Sequence, residues 1–315
     1  MAQPSNTFDT YDSKGNRESL SDIIMNISPT ETPFMSMAGR GKATATYEEW
    51  QTDALASAVS NNAVIEGDEA TLDASVATVR VGNYTQISDK TAVITGTQES
   101  INKAGRKSEV AYQVAKKGKE LKRDMEACLT ANTAQVAGNA STARKLGSLG
   151  SWVATNDVLG TGSAASPTGN GTDARTDGTQ RALTESLLKT AIQSCWTEGG
   201  NPSCVMVGPH NKTVISGFTG GSTRIDKGED KKLFASIDVY ESDFGAFEIV
   251  PNRFSRDRDC WVLDKEMWSV SYLRPFQQFE LSKTGDSEKR QMLVEFTLVS
   301  KQEKASGMVA DCTTS

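Results

Sequence analysis

Between about Thr97 and Gln135 the sequence keeps one continuous face at three-or-four spacing: Ile101, Ala104, Ser108, Ala111, Ala115, Gly118, Leu121, Met125 and Cys128. That period belongs to an α-helix with one buried stripe. At ~1.5 Å per residue it is expected to run roughly 50 Å. A helix of that length sets the scale of everything packed on it, and a stripe of small residues lets the next layer approach closely. Charged residues crowd the opposite face, with Lys103, Arg106, Lys107, Lys116, Lys117, Lys119, Lys122 and Arg123 outnumbering the acids. Two readings fit them: an ordinary solvated face, or a mildly positive surface for non-specific contact with DNA.

The chain before this helix lacks the means to fold alone. Residues 1–40 are polar, with one amphipathic stretch at Leu20, Ile23, Ile24 and Ile27, ended at Ser28-Pro29 because proline disfavours helix in the residue before it. Pro29 and Pro33 frame a segment expected to be extended, carrying Phe34, Met35 and Met37 as apolar knobs. Ordering costs roughly 1–2 kcal/mol per residue of backbone, so such an arm has to dock on something. Residues 43–52 alternate weakly, as do residues 75–81 with Val76, Val79 and Val81. The spacing predicts a long two-stranded hairpin, an element of marginal stability in water by itself.

After the helix, residues 138–181 are rich in Gly, Ser, Thr, Ala and Asn and read as a long, partly mobile loop or inserted hairpin. A compact α/β lobe begins near Leu183. Thr184 is placed to cap a helix carrying Leu187, Leu188, Ala191, Ile192 and Cys195, closed by Gly199-Gly200. A short buried strand is expected at 203–208 and a helical turn near 212–218. Strands follow at SIDVYESD, FEIVP, CWVLD and WSVSYL, then FQQFELS and RQMLVEFTLVS around a turn at Thr284-Gly285-Asp286. Helices first and strands later predict an α+β fold over a doubly wound one.

Composition excludes much chemistry. A net charge of -6 argues against a dedicated nucleic-acid binder. No apolar run approaches the roughly 18 residues that span a bilayer, so no membrane partner is expected, and the N-terminus has no signal-peptide core. Cys128, Cys195, Cys204, Cys260 and Cys312 form no C-x-x-C pair, so neither a disulfide framework nor a zinc site is encoded. The single histidine, His210 in GPHNK, removes multi-histidine metal sites and reads as a solvated or helix-start residue. Cofactors and catalytic residues are therefore expected to be absent.

The remaining motifs carry little chemistry. Gly160–Ala165 and Gly169–Ala174 fit G-x-G-x-x-A, but no strand and helix flank them as a dinucleotide site requires. Glu48 and Glu49 are adjacent on a predicted strand and point to opposite faces. Arg256, Asp257, Arg258 and Asp259 alternate in charge. They read as a solvated turn with ion pairs worth ~0–1 kcal/mol each, or as a charged rim matching a symmetry-related copy.

The order of parts, together with SDIIMNISPTETPFMSMAGRGKATATYEEWQTD (21–53), ESINKAGRKSEVAYQVAKKGKELKRDMEACL (99–129) and LVSKQEKASGMVAD (298–311), resembles the major capsid proteins of tailed phages typified by phage SU ten. Residues 155–181 match that pattern poorly and look like a variable insertion. The resemblance implies the Hong Kong 97-type fold. It would place an N-terminal arm at 1–40, an E-loop hairpin at 41–90, the peripheral domain with its spine helix at 91–137, and a loop or insertion at 138–182. An axial domain would follow at 183–268 and closing peripheral strands at 269–315. It further implies an icosahedral shell of hexamers and pentamers in the virion. Such a shell is assembled in the host cytoplasm with a separate scaffolding protein and a portal, possible decoration proteins outside and double-stranded DNA within. Subunit contacts are expected from the arm (Ile23, Ile27, Pro29, Pro33, Phe34), the E-loop (Glu48, Trp50) and the charged turn (Arg256, Asp257, Arg258, Asp259). Some shells of this fold carry a Lys-Asn cross-link; Lys42 or Lys90 is suitably placed, but no motif identifies its partner. The rival readings are a decoration or tail component and an uncharacterised soluble enzyme.

Overall fold

The computed structural model describes residues 28–69, 74–218 and 238–314; the stretch Leu20 to Ile27 lies outside them. In chain order the elements are α1 (Pro33–Met37), β1 (Gly39–Lys42), β2 (Tyr47–Thr52), β3 (Val79–Tyr84), β4 (Gln86–Thr95), α2 (Gly96–Ser100) and α3 (Glu109–Leu129). Then come α4 (Leu149–Trp152), β5 (Asp157–Val158), α5 (Glu185–Thr197), β6 (Cys204–Val207) and α6 (Pro209–Ser216). The last are β7 (Val239–Ser242), β8 (Gly245–Pro251), β9 (Cys260–Leu263), β10 (Trp268–Leu281), β11 (Ser287–Ser300) and β12 (Gly307–Val309). The described strands form a four-stranded sheet ordered β1-β10-β11-β4, a six-stranded sheet ordered β5-β12-β9-β6-β8-β7, and the separate hairpin β2-β3. The arrangement is α+β.

Strand periodicity explains how one sheet serves two cores. On β6, β9 and β12, Met206, Trp261, Leu263 and Met308 join Phe34, Met125, Leu129, Trp152 and Trp268 in one cluster. The intervening Val205, Val207, Cys260, Val262 and Val309 join Leu188, Ile192, Ile215 and Phe247 in the other. Successive side chains point to opposite faces, so these short strands are apolar at every position because both faces are covered.

The long helix is interrupted. The face predicted from Thr97 to Gln135 is divided into α2 and the 21-residue α3, about 31 Å long at 1.5 Å per residue. The first helix ends at Ser100, where Ile101 turns extended (φ -71°, ψ 142°), and Gly105 takes a positive φ of 73° within the connection. Ser108 Oγ then accepts from Ala111 N at 3.1 Å, and Glu99 Oε2 accepts from Glu109 N at 2.8 Å. Those acceptors satisfy the free N–H groups of a new helix start. Apart from Glu109 at its start, the buried residues of α3 lie in its second half: Leu121, Met125, Glu126 and Leu129. Gly118 allows the close approach of β11, since an added Cβ would lie 3.1 Å from Met292 Cε.

Other expectations shift as well. The segment expected to be extended at 33–37 is a short helix with Pro33 at its first turn, where the missing N–H costs nothing. The second hairpin strand lies at 79–84, not 75–81, and Val76 is exposed. A strand that the alternation at 75–81 did not reveal, β4, continues it into the four-stranded sheet. The two strands expected at WSVSYL and FQQFELS are one, β10, whose register shifts lie between Tyr272 and Gln277 around Pro275. Bulges accommodate a residue that cannot donate to the ladder.

The Gly/Ser/Thr-rich region, expected to be a partly mobile loop or an inserted hairpin, lies packed against the body. Leu146, Leu149, Trp152 and Val153 are buried, and bridges join Val136 to Lys145, Thr161 to Thr179 and Ala165 to Thr176. Its small residues serve close contact: a Cβ on Gly171 would sit 2.9 Å from the Trp152 ring. The capped helix α5, the buried strand β6 and the turns at Gly245 and Gly285 lie where the sequence placed them.

The cysteines report on this packing. Burial pushes the thiols of Cys195, Cys204 and Cys312 up to about 12 and that of Cys260 well above its ordinary value, whereas Cys128 is only partly buried. Since the thiolate is the reactive species, iodoacetamide near neutral pH is expected to modify Cys128 ahead of the other four in the folded protein, and all five after denaturation. Peptide mass spectrometry reads the order, and equal rates in the folded state would contradict the doubly covered sheet.

Candidate functional site

Hairpin β2-β3 leaves the body from a packed root. Tyr47 and Tyr84 are cross-strand partners with ring centroids 4.5 Å apart, and Trp50 lies on Trp152 at 5.3 Å. Glu48 turns back to accept from Thr44 N at 3.1 Å, while Glu49 pairs with Arg80. Beyond Thr52 the character changes. Leu55 is fully exposed, and Val59, Val64, Ile65 and Val76 are at least 71% exposed. Residues 53–79 contain Asp53, Glu66, Asp68, Glu69 and Asp73 and no Lys or Arg. A polar loop of this length would not need five large apolar side chains; these have no surface of their own chain to cover them among the described residues.

The arm is held by one carboxylate. Of the expected arm contacts, Ile23 and Ile27 lie outside the described residues. Pro29 and Pro33 are half-buried, and Phe34 is completely buried, edge-on to Trp268 at 6.5 Å. Helix α1 has no side-chain cap from its own Thr32. Instead Glu126 of α3 accepts from Phe34 N at 2.7 Å, Met35 N at 2.9 Å and Asn252 Nδ2 at 2.7 Å. Burial pushes the Glu126 carboxyl above the ordinary value, while the three donors pull it down. Sequence periodicity missed this residue: a glutamate beside Met125 reads as the edge of the charged face, and its partners are more than 90 residues away.

The alternating turn is not simply solvated, since three of its four charged residues pair within the chain. Asp259 and Arg175 are both fully buried and meet at 2.7 Å. Arg256 pairs with Asp177 at 2.6 Å, and Arg258 with Asp311 at 2.7 Å. Asp257 is exposed. Burial raises the Asp259 carboxyl, with Arg175 and Arg256 pulling the other way. Burial also opposes the Arg175 charge, yet Asp259, Asp177 and Asp311 hold its pKa above the ordinary guanidinium value. Asp311, at a positive φ of 59°, also accepts from Gly160 N and Gly178 N. The cluster thus ties the turn to residues 160–178 and to the segment after β12. The sequence offered no sign of Arg175, which sits in a stretch that composition marked as loop.

No other chemistry gathers. His210 is the second residue of α6 and half-buried. Lys90 pairs with Asp124 at 2.7 Å. Among the described residues no group of three His, Cys, Asp or Glu side chains is placed to hold a metal ion, and no helix is long and apolar enough to cross a membrane.

Two substitutions test these junctions. Glu126→Ala would leave two backbone donors and one amide unsatisfied. It is expected to cost about 2–4 kcal/mol, read as a lower denaturant midpoint. Arg175→Ala leaves the buried Asp259 with Arg256 alone at 3.3 Å, and Asp259→Ala leaves Arg175 with Asp177 at 3.0 Å, so each is expected to cost about 3 kcal/mol. The pair Arg175→Met with Asp259→Leu is expected to recover most of it. Additive losses in that double variant would contradict direct pairing.

Comparisons with known proteins fit this geometry. The family model described as the SU10 major capsid protein matches residues 3–313, so it also spans the region 155–181 that looked like an insertion. The chain is 29% identical to the major capsid protein of Escherichia phage Phieco32, covering 98% of this chain and 97% of that one. In fold it resembles the cyanophage A-1(L) capsid asymmetric unit (TM-score 0.70, 12% identity, 98% and 99% covered). It also resembles a structure of phage G gp27 major capsid proteins and gp26 decoration proteins (TM-score 0.56, 12% identity, 100% of each chain). Those neighbours share the Hong Kong 97-type fold with this chain. A match over nearly the whole chain, with a relative of almost equal length, makes this chain a member of the SU10 major capsid protein family.

Proposed function

We propose that this phage capsid subunit assembles with its own copies into the hexamers and pentamers of an icosahedral head that encloses double-stranded DNA, and that its role is structural and not catalytic. One observation carries the reading: the far part of the E-loop exposes Leu55, Val59, Val64, Ile65 and Val76 with no intrachain cover among the described residues. Full burial of such a side chain is worth roughly 1.5–3 kcal/mol, so a neighbour that covers the loop gains substantially. A counterpart of mixed character exists on the same molecule: a groove of about 540 Å³ along the first half of α3, where Val110, Ala111, Val114 and Ala115 lie beside the polar Glu99, Ser108, Gln278, Glu288 and Arg290. A contact between different patches of identical chains propagates and closes into rings when the rotation allows.

The other expected contacts divide by their surroundings. Phe34, Trp50 and Asp259 are engaged inside their own chain, so their part is to hold the contacting segments in place. Asp257, exposed, and Pro29 and Pro33, half-exposed, remain available to a neighbour. Exposed Lys107, Lys116, Lys119 and Lys122 on and before α3 support non-specific contact with the packaged DNA. Assembly takes place in the host cytoplasm with a scaffolding protein and a portal. A decoration protein on the finished shell has a parallel in the gp26 that accompanies the phage G subunits.

Replacing Leu55, Val59, Val64 and Ile65 together by Ser is expected to leave subunit stability within about 0.5 kcal/mol, since surface positions contribute little, while shell formation is lost. Denaturant unfolding checks the first, and sedimentation with electron microscopy of the protein expressed with its scaffold checks the second. Normal shells from that variant would sink the reading.

A further inference from the structure

The geometry points to Trp50 and Asn83 as positioning residues that fix the direction in which the E-loop leaves the body, and thereby the curvature of the shell. The inference rests on the assembly reading above. Its basis is the unusual completeness of the hairpin root. Asn83 is fully buried. Its Nδ2 donates to Gly147 O at 2.9 Å and Leu298 O at 2.8 Å, and its Oδ1 accepts from Gly147 N at 2.7 Å. Gly147 O also accepts from Trp152 Nε1 at 3.3 Å, and the Trp50 ring lies against Trp152, centroids 5.3 Å apart and tilted by 37°. One side chain from each hairpin strand is therefore seated on the same short segment, residues 147–152.

The residue where β3 passes into β4 is equally constrained. Thr85 N donates to Thr46 O at 2.9 Å, its Oγ1 donates to Glu295 at 2.8 Å, and its carbonyl accepts from Arg144 Nε at 3.3 Å. Tyr84 O accepts from Thr297 Oγ1 at 3.0 Å. A pivot would need some of these groups free. The two strands are also pressed together at Gly82, where a Cβ would meet Glu48 O and the Tyr47 ring at 2.8 Å.

A loop intended to adapt to its neighbour would leave its base loose; here the exposed, unpaired part begins only beyond Thr52. The six paired residues make a lever of roughly 20 Å, and a tilt of about 10° at its base displaces its end by about 3.5 Å, one residue of strand rise. Such a shift moves apolar contacts on a neighbour by a full residue. Fixing the angle beforehand also lowers the ordering cost of each contact. Trp50 Nε1 is buried without a hydrogen-bond partner among the described residues, so the indole contributes by its stacked face.

The test uses the full chain with nitroxide labels at Gln51→Cys and Lys119→Cys on a Cys128→Ser background, read by pulsed dipolar spectroscopy. A narrow distance distribution is expected in that parent and in Trp50→Phe, which keeps the stack. A broadened one is expected in Trp50→Ala and in Asn83→Ala. If both alanine variants keep the parental width, the clamp is overturned. Should Asn83→Ala fail to fold, Trp50→Ala against Trp50→Phe still decides. Electron microscopy of shells formed with the scaffold then reads the consequence. The parent and Trp50→Phe are expected to give one diameter, and Trp50→Ala mixed diameters or open sheets. Parental shells from a variant whose distances have broadened would overturn the positioning role. A parent that forms no shells would instead fail the assembly reading and leave the distance result standing.

Discussion

The six-stranded sheet is the constraint on which the rest of the molecule depends. Because β6, β9 and β12 are apolar on both faces, the sheet needs one cover from α5 and α6 and another from α3, Trp152 and Trp268. The two hydrophobic clusters therefore share a wall and are not joined merely by linkers. Residues on β12, late in the chain, sit between the edge strand β5 and β9, and the Asp311 cluster pins the segment that follows. Both cores are thus completed by the same few residues.

Against that rigid body, polar side chains are used sparingly and at long range. Glu126 caps a five-residue helix from a different part of the chain and simultaneously holds Asn252. Arg175 and Asp259 do the same for the charged turn, and Asn83 for the hairpin. A buried polar group is costly unless every partner is present, so each of these junctions specifies one arrangement of segments. The flexible-looking arm, insertion and turn are ordered by this means, with little local propensity to help them.

The hairpin reverses that logic. Its root is satisfied within the chain, while its outer part shows apolar residues to solvent and an unbroken acidic charge. A chain that invests order in the base of an element and leaves its far end uncovered presents that end to something else. Family membership says that the chain is a capsid subunit, and the contrast between root and tip is what the proposed assembly role of the hairpin rests on.

Much of this was legible beforehand. Apolar spacing marked α5 with its Thr184 cap, the buried stripe of α3 and the strands β6 to β9, and the motif at 21–53 pointed to the family. These features are local: periodicity and capping act within a few residues and leave their trace in order. The break before α3 was missed because the small-residue face runs through it unchanged: the backbone turns extended at Ile101, and Glu99 and Ser108 then cap a new helix start. Pro275 looked like a strand end because a bulge is a property of pairing, not of one strand. Composition made residues 138–181 look loose, although their glycines are what lets Trp152 be packed so closely. The sequence by itself determined the α+β class, the family and the segments unable to fold alone. Tertiary structure alone decided where those segments are held, because Glu126, Asn83 and Arg175 find their partners tens to hundreds of residues away, where no spacing rule reaches.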